Sequence, residues 1–405
     1  MKSSRRSFVF LSSCPDAWGG SEELWAGAAL ELHRSGHQVA VGRSSRMPRD
    51  KKYSRWSDLR KAGLTVEHYG SSWLSHTLPE IVLALFPTLL RPVWWIRNLL
   101  LALKLRRRSP NLVVICQGQA YDACFPFSLP EICRFAQIPY VLVCQKASEL
   151  QWPSDGLRDL LRRCYHEAAR SFFVSNHNRR MVEQQLAISI GRAEVVQNPF
   201  MVEASGPLPW PDLSDGVYRL ACVGRLWPLE KAQDVLLQVL RQQRWRKRPI
   251  MVSFFGNGPM AAGLKQMAEM LELPNVQFPG FLEATAIWRT HHALVLPSRS
   301  EGLPLVQVEA MMCGRPVIVA DAGGTSEIMR HGEHGFLADS ATPSSLDNAL
   351  EQAWERRQQW QSIGVAAAAH IRSIYSDDPC VAFSDKLLHV CDEDTRIGDR
   401  RQLHH

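Results

Sequence analysis

Residues 293–328 read ALVLPSRSEGLPLVQVEAMMCGRPVIVADAGGTSEI, which predicts a strand, a loop, a helix, a second strand and a glycine loop, in that order. The apolar run at 293–296 has the length of a buried strand. Pro304 suits the first position of the helix because its φ is already fixed, and Gly314 marks the end of that helix. The uncharged, β-branched segment 316–320 is typical of an inner parallel strand. The stretch is therefore a βαβ unit, and it indicates an α/β fold.

Two glutamates stand out in this unit. Glu301 lies in the loop after the first strand, and Glu309 lies in a helix that has no other charged residue between Gly302 and Gly314. One interpretation of Glu309 is a helix residue that faces solvent or pairs with an arginine. The other is an acceptor for a ligand hydroxyl, because a carboxylate on so apolar a helix is costly to bury unless hydrogen bonds are donated to it.

The length and composition of the chain predict two soluble domains. A chain of 405 residues is too long for one ordinary core. The segment 201–216 holds three closely spaced prolines and is the predicted linker. We therefore expect an N-terminal domain at 1–205, a C-terminal domain at 206–375, and a helix and tail at 376–405 that could pack back on the first domain.

The net charge and the spacing of the cysteines limit the kinds of ligand, metal site and disulfide that the sequence predicts. A net charge of +7 suits anionic ligands or a phospholipid surface, and by itself it does not argue for nucleic acid. The ten cysteines form no CxxC pair and no Cys/His cluster, so neither a zinc site nor a disulfide framework is predicted. A reducing cytoplasm fits best.

The first half of the chain alternates predicted strands and helices. A strand at 8–12 is followed by Gly19, Gly20 and a helix at 21–35, and further buried strands are predicted at 111–116 and 139–144. This alternation is typical of a doubly wound parallel sheet, in which ligands bind beyond the carboxyl ends of the strands. The polar residues that follow these two strands, Gln117, Gly118, Gln119, Asp122, Gln145, Lys146, Ser148 and Glu149, are therefore expected in loops at the ligand-binding edge.

The segment 78–108 is apolar and basic. Its prolines and arginines interrupt it too often for a membrane span, so two amphipathic helices are expected. Past Glu80 it contains no acidic residue. The composition suits an anionic membrane surface about as well as a crossover helix that packs on the sheet and has a solvated basic end.

The second half repeats the strand–loop–helix pattern. Arg225 and Lys231 follow a predicted strand at 219–223, where both cations can reach a ligand at the strand end. A guanidinium and an ammonium placed in this way suit a diphosphate. Together with Glu301 and Glu309 they fit a nucleotide sugar.

These residues resemble a known family. Glu301 and Glu309 enclose seven residues, and the surrounding LPSRSEGLPL, GRPVIVADAGGTSEI and HGFLA, with GRLWPLEKAQDVLL and WGGSEEL, look like the retaining glycosyltransferases of family 4, also called group 1. The resemblance is specific in the second half and weaker in the first. It implies the GT-B fold, in which two Rossmann-like domains face a cleft.

The resemblance also implies roles for single residues. Arg225 and Lys231 would hold the donor pyrophosphate, Glu309 the ribose and Glu301 the donor sugar. Backbone groups would complete the donor site, at Gly19, Gly20, Gly224, Gly302, Leu303, Pro304 and Leu305. The chain departs from the family pattern in three places: five residues separate Arg225 from Lys231 where four are common, Ala232 replaces a usual glycine, and Gln117–Gln119 stand where many relatives carry a histidine.

The expected protein is a metal-independent retaining glycosyltransferase without a cofactor. It would move a sugar from a nucleotide-diphosphate sugar to a glycan or lipid-linked acceptor, in the cytoplasm or on the inner face of the membrane, in cell-surface polysaccharide or glycolipid synthesis. A nucleotide-sugar epimerase of the same fold and a non-catalytic sugar-nucleotide-binding subunit are the alternatives. The DxD at 392–394 is interpreted as a solvated charge run, and His166, His177, His291 and His292 lack metal-ligand spacing.

Overall fold

A computed structural model describes residues 5–14, 18–43, 55–68, 87–124, 128–202 and 206–402. The chain divides into two compact units. The first consists of residues 1–174, 178–199 and 378–405, and the second of residues 175–177 and 200–377. The C-terminal segment thus belongs to the same unit as the N-terminus.

The first unit is built on a seven-stranded parallel sheet in the order β3-β2-β1-β4-β5-β6-β7. Its strands are β1 (Ser7–Ser12), β2 (Gln38–Arg43), β3 (Thr65–His68), β4 (Leu112–Gln119), β5 (Tyr140–Lys146), β6 (Arg170–Phe173) and β7 (Ala193–Val195). The helices in this part of the sequence are α1 (Gly20–Arg34), α2 (Arg55–Lys61), α3 (Pro87–Arg108), α4 (Leu129–Ala136), α5 (Asp155–Glu167) and α6 (Asn176–Leu186). Two apolar cores cover the two faces of the sheet.

The second unit is built on a six-stranded parallel sheet in the order β10-β9-β8-β11-β12-β13. Its strands are β8 (Tyr218–Val223), β9 (Ile250–Phe255), β10 (Val276–Gly280), β11 (Ala293–Leu296), β12 (Val317–Ala320) and β13 (Gly335–Ala338). Its helices are α7 (Pro228–Lys231), α8 (Gln233–Leu240), α9 (Gln243–Lys247), α10 (Ala261–Met270), α11 (Ala284–Trp288), α12 (Leu305–Met312), α13 (Pro343–Glu355) and α14 (Trp360–Ile374). The prediction of two doubly wound parallel sheets is confirmed.

The first unit departs from prediction at the ends of two strands. Strand β4 continues through Gln117, Gly118 and Gln119, and β5 continues through Lys146, so the expectation that these residues lie in loops is wrong. The reason is that Gln117 is buried and fully engaged, since its side chain donates to the Tyr165 hydroxyl and accepts from the N–H of Ala123. A polar residue with buried partners extends a strand as readily as an apolar one does.

The basic segment forms one long helix in its described part. Helix α3 runs from Pro87 to Arg108 and includes Pro92, so the prediction of two helices finds only one among the described residues, and 78–86 lie outside them. None of the described helices is long and apolar enough to cross a membrane.

The C-terminal part of the chain is helical. Helices α13 and α14 are separated by a 3₁₀ turn at Arg357–Gln359. The helix expected within 376–405 is α15 (Pro379–Gln402). Its apolar residues Phe383 and Leu387 are buried in the same core as helix α1. At Gly27 the two helices come so close that a Cβ atom would meet the Cys380 sulfur at 2.2 Å.

All ten cysteines are free thiols, and nine of them are buried. In the βαβ unit quoted first, helix α12 begins at Leu305, one residue later than the pattern suggests. Pro304 has extended backbone angles, with φ −70° and ψ 115°, and occupies the capping position instead.

Candidate functional site

The carboxyl ends of β8, β11 and β12 lie side by side in the second sheet, and they bring the predicted donor residues together. Arg225 and Lys231 follow β8, Glu301 follows β11, and Gly323 follows β12. Because all the strands are parallel, these loops share one edge of the sheet, where ligands of α/β folds bind.

The central contact of this edge joins Lys231 to Glu301. The Lys231 Nζ donates to Glu301 Oε1 at 2.6 Å. Glu301 is only 5% exposed, and the lysine side chain is itself largely buried. Such a pair places one cation and one carboxylate at the same point, which can engage both the phosphates and the hydroxyls of a sugar nucleotide.

Lys231 ends a very short helix. Helix α7 has four residues, and the next residue, Ala232, adopts left-handed angles, with φ 50° and ψ 33°. A non-glycine residue in this conformation costs about 1–2 kcal/mol. The family resemblance indicates glycine here, and the backbone conformation gives a physical reason for that preference. The chain turns sharply at Ala232 and enters α8 immediately.

Arg225 lies at the start of the same loop. Its guanidinium donates to Glu230 at 3.3 Å and lies 5.7 Å from the Trp227 ring centroid. Its backbone carbonyl accepts a hydrogen bond of 2.8 Å from the side chain of buried Gln233. The loop backbone at Arg225 is thus tied to the start of α8, while the cationic end is half-exposed.

Glu309 is buried on α12 and is 8% exposed, so the interpretation of a solvent-facing helix residue is wrong. Its Oε1 accepts from the backbone N–H of Met201 at 3.0 Å. Burial raises the pKa of this carboxyl to about 7, and the Met201 hydrogen bond opposes the rise. The observed partner is a backbone amide, and the role of Glu309 as a ribose ligand stays a prediction.

The glycine loop after β12 packs directly on the Glu301 backbone. Gly323 has φ +60°, and a Cβ there would lie 2.1 Å from the Glu301 carbonyl oxygen. The N–H of Gly324 donates to the Gly302 carbonyl at 2.7 Å. Only a residue without a side chain fits at Gly323, which fixes the backbone of the predicted donor-binding segment. The rest of that segment, Leu303, Pro304 and Leu305, leads into α12.

The three further predicted glycines have contrasting surroundings. Gly224, directly after β8, lies under the Lys231 side chain, whose Cδ would be 3.8 Å from a Cβ at this position. Gly19 and Gly20 belong to the first unit, where Gly19 caps α1 and Gly20 is its first residue. Both are exposed.

Glu22, in the first turn of α1, has a role that the sequence did not suggest. It is buried beside the glycine loop and accepts from the hydroxyls of Ser12 and Ser21. Burial raises the pKa of Glu22, and these bonds, together with one from the Gly19 N–H, oppose the rise. A glutamate three residues after the cap that bonds back to it is half of a capping box, so the spacing was available as a signal.

The other candidates are accounted for by ordinary contacts. Asp392 pairs with Arg6 at 2.8 Å, and Glu393 pairs with Arg170 at 2.5 Å. Among the described residues no three His, Cys, Asp or Glu side chains come together in a way that could hold a metal ion.

Comparisons with known proteins relate this chain to glycosyltransferases. Residues 218–356, which include Arg225, Lys231, Glu301 and Glu309, match the family model described as glycosyl transferases group 1. The chain is 33% identical over 162 residues to a D-inositol 3-phosphate glycosyltransferase of Gordonia bronchialis, which covers 36% of this chain and 35% of that protein. It is 32% identical over 152 residues to the D-rhamnosyltransferase WbpZ of Pseudomonas aeruginosa, which covers 36% of this chain and 39% of that protein. The chain therefore matches well under half the length of these relatives.

Solved structures extend the likeness to nearly the whole chain. Anabaena HepE in complex with UDP superposes with a TM-score of 0.73 at 18% identity, and covers 96% of this chain and 100% of that one. The sucrose-phosphate synthase of Thermosynechococcus elongatus gives 0.66 at 14% identity, with 99% and 100% covered. At these identities the likeness establishes the fold. The chain thus has the GT-B fold over nearly its whole length, and its residues 218–356 match the family model of the glycosyl transferases group 1.

Proposed function

We propose that this protein is a retaining glycosyltransferase that transfers a sugar from a nucleotide-diphosphate sugar to a glycan or lipid-linked acceptor. The observation that carries the proposal is the contact between Lys231 and Glu301 at the carboxyl edge of the second sheet. It lies within the segment that matches the family model. HepE, of the same fold, has been crystallised with UDP and with UDP-glucose, which supports a nucleotide-sugar donor.

The proposed chemistry needs charge stabilisation more than covalent catalysis. As the bond from the sugar to the diphosphate breaks, positive charge builds up on the sugar ring and negative charge on the leaving phosphate. Lys231 and Arg225 would neutralise the phosphate, and Glu301 would orient the sugar beside it. The leaving phosphate itself would take the proton of the attacking hydroxyl, so the protein contributes position and electrostatics.

We assign roles to the other residues of the predicted sugar-nucleotide site from their positions in the structure. Glu309 would accept from the ribose hydroxyls, with its buried carboxyl deprotonated in the complex. The backbone of Gly302–Leu305, held by Gly323, would face the sugar and phosphates. We propose no metal or cofactor, since two cationic side chains supply the charge that a metal ion would otherwise provide on a diphosphate.

A thermal-shift screen followed by a transfer assay tests the proposal. UDP-, GDP-, ADP- and TDP-sugars are compared, since a ligand at 100 times its Kd raises stability by about 2.7 kcal/mol. The sugar nucleotide that stabilises the protein is then incubated with and without acceptors, in EDTA, and NMR reads the anomeric configuration of the product. Retention of configuration in EDTA is expected.

The alternatives predict different results in the same assay. Conversion of the donor sugar with no acceptor present indicates an epimerase, and binding without turnover on any acceptor indicates a non-catalytic subunit. Arg225→Ala should abolish transfer, and Glu309→Ala should weaken nucleotide binding. Full activity of both variants would contradict the assignment.

We also propose that helix α3 docks on an anionic membrane surface. Its exposed face carries Leu99, Leu100 and Leu103, and Phe135 is exposed on α4, which packs beside α3. The last turn of α3 is basic and has no acidic residue. Exposed apolar side chains next to cations suit the boundary of an anionic bilayer, where each basic residue contributes about 1 kcal/mol.

Vesicle co-sedimentation tests this surface. The protein should bind vesicles that contain phosphatidylglycerol and not pure phosphatidylcholine, and Leu100→Ser with Leu103→Ser should release it. Met270→Ser, which removes an exposed apolar residue from the second unit, is the control. Equal binding to both kinds of vesicle, or no effect of the leucine changes, would exclude the α3 surface.

A further inference from the structure

Arg299, two residues before Glu301, is bonded to the short helix that carries Lys231. Its Nη1 donates to the Pro228 carbonyl and to Asp234 Oδ1, the latter at 2.9 Å, and its Nη2 donates to Asp234 Oδ2 at 2.8 Å. Its backbone N–H donates to the Glu230 carbonyl at 2.7 Å. Arg299 thus donates two hydrogen bonds to α7 and two to the first turn of α8.

Helix α7 depends on such contacts for its orientation. A helix of four residues is far below the length that is stable by itself in water. No side chain caps its start, and the left-handed residue Ala232 ends it. Residues 299–301 supply the missing support, because Arg299 bonds to Pro228 and Glu230, Ser300 bonds to Glu230, and Glu301 bonds to Lys231. These contacts therefore involve every residue of α7 except Leu229.

The planar guanidinium of Arg299 is suited to holding two partners at once in a fixed geometry. Two parallel hydrogen bonds from a planar guanidinium to one carboxylate fix the plane of the guanidinium. With the plane set by Asp234, Nη1 also points at the Pro228 carbonyl. A lysine carries a single nitrogen on a flexible stem and cannot hold both partners in this geometry.

We propose that Arg299 is a positioning residue for this site: aligned by Asp234, it holds α7 in the orientation that brings Lys231 to Glu301. The effect on rate rests on the proposed function, since it presupposes that Lys231 acts on the donor phosphates. The expected effect on the structure of α7 is independent of the proposed function.

A double-mutant cycle in the full-length protein tests the alignment. Arg299→Ala should lower kcat about 10- to 100-fold, because a misplacement of about 1 Å in a catalytic group costs up to about 100-fold. Asp234→Asn should lower it less, and the double variant should be no slower than Arg299→Ala alone. Losses that multiply would show that the two residues act separately and would overturn the proposal. Arg299→Lys should recover only part of the rate.

Hydrogen exchange gives a readout that is independent of activity. Without ligand, Arg299→Ala should speed amide exchange in peptides that cover 225–234 and 298–303, and leave other strands and helices unchanged. If kcat falls and exchange stays the same, Arg299 acts on the substrate and not on α7, which overturns the proposal. If the wild type transfers no sugar, the proposed function fails while the exchange result still decides the structural part.

Arg248 provides a matched control within the same unit. It forms a two-pronged pair with Glu351, at 2.9 and 2.5 Å, but lies just before β9 begins, at the opposite edge of the sheet. Arg248→Ala should lower stability and leave kcat close to that of the wild type. An equal loss of kcat in this variant would mean that general destabilisation, and not the position of α7, explains the Arg299 result.

Discussion

Lys231 and Glu301 are 70 positions apart in the sequence, yet their side chains are joined by a hydrogen bond of 2.6 Å. Removing either partner alone is expected to lower the stability of the folded protein. Lys231→Met would leave the buried Glu301 carboxylate without its cation, which costs about 3 kcal/mol when a buried pair is broken from one side. We expect a lower melting temperature and a loss of sugar transfer, measured by calorimetry and by kcat.

The double variant Lys231→Met with Glu301→Gln separates these two effects. With both charges removed, stability should return most of the way, while transfer stays lost. Lys386→Met, which breaks a more exposed lysine–glutamate pair with Glu194, should cost at most about 1 kcal/mol. Recovery of transfer in the double variant would show that the pair is structural only.

The buried Glu309 carboxyl makes stability depend on pH. Its folded pKa of about 7 lies above the ordinary 4.5, so the folded state holds the proton that the unfolded state releases between these values. Stability from this group is therefore lost as pH rises from about 4.5 to 7, by up to about 3 kcal/mol. Glu309→Gln should be more stable than the wild type at pH 8 in urea titrations. Glu269→Gln, at an exposed position, should show no such gain.

The buried residues His291 and His292 make stability depend on pH in the opposite sense to Glu309. Both are buried, and desolvation lowers the pKa of each to about 4 from 6.5. The unfolded state therefore takes up protons that the folded state refuses, and stability falls as pH drops from about 6.5 to 4. His291 is held by the Ser253 hydroxyl at 2.9 Å, and His292 accepts from the Arg219 N–H at 2.9 Å.

Replacing His291 with Gln keeps a hydrogen-bonding group and removes the titration. The variant should lose less stability than the wild type between pH 6.5 and 4.5, whatever its stability at pH 8. Because Glu309 opposes the histidines over the same range, Glu309→Gln should make the acid-side slope steeper. An unchanged slope in both variants would contradict the assigned pKa shifts.

Two glycines in the second unit should respond oppositely to alanine. At Gly323 a Cβ would collide with the Glu301 carbonyl, and φ is +60°, so Gly323→Ala should destabilise by about 2 kcal/mol or more and lower transfer by shifting Glu301. At Gly263, within α10, a Cβ meets nothing within 4 Å. Gly263→Ala should stabilise by about 0.5–1 kcal/mol with transfer unchanged. Thermal unfolding and kcat check both.

The sequence predicted the strands and helices around the site well, because their patterns are local. The strand 293–296 and the helix stop at Gly314 both lie where the pattern puts them. Gln117 and Gln145 misled because polar residues at strand ends look like loops, whereas their partners come from distant parts of the chain. Long-range hydrogen bonds of this kind leave no periodic pattern in a sequence.

The residues that hold the site residues in place could not be predicted from the sequence either. Arg299 lies in a loop segment that the motif made prominent, yet its partner Asp234 is 65 positions away. Ala232 departs from the family pattern, and only its backbone angles show what the usual glycine provides. Motifs identify residues that meet a ligand, while residues that hold them in place are found through contacts.

The close approach of α1 and α15 at Gly27 has a consequence for synthesis on the ribosome. The face of α1 that carries Leu24 and Ala28 shares a core with residues contributed by α15, which is made hundreds of residues later. The second unit, nearly continuous from 200 to 377, is complete before α15 emerges. The usual order, in which the N-terminal domain finishes first, is therefore reversed. The nascent first unit therefore exposes this apolar face until translation reaches α15, and exposed apolar surface of this kind favours aggregation during that interval.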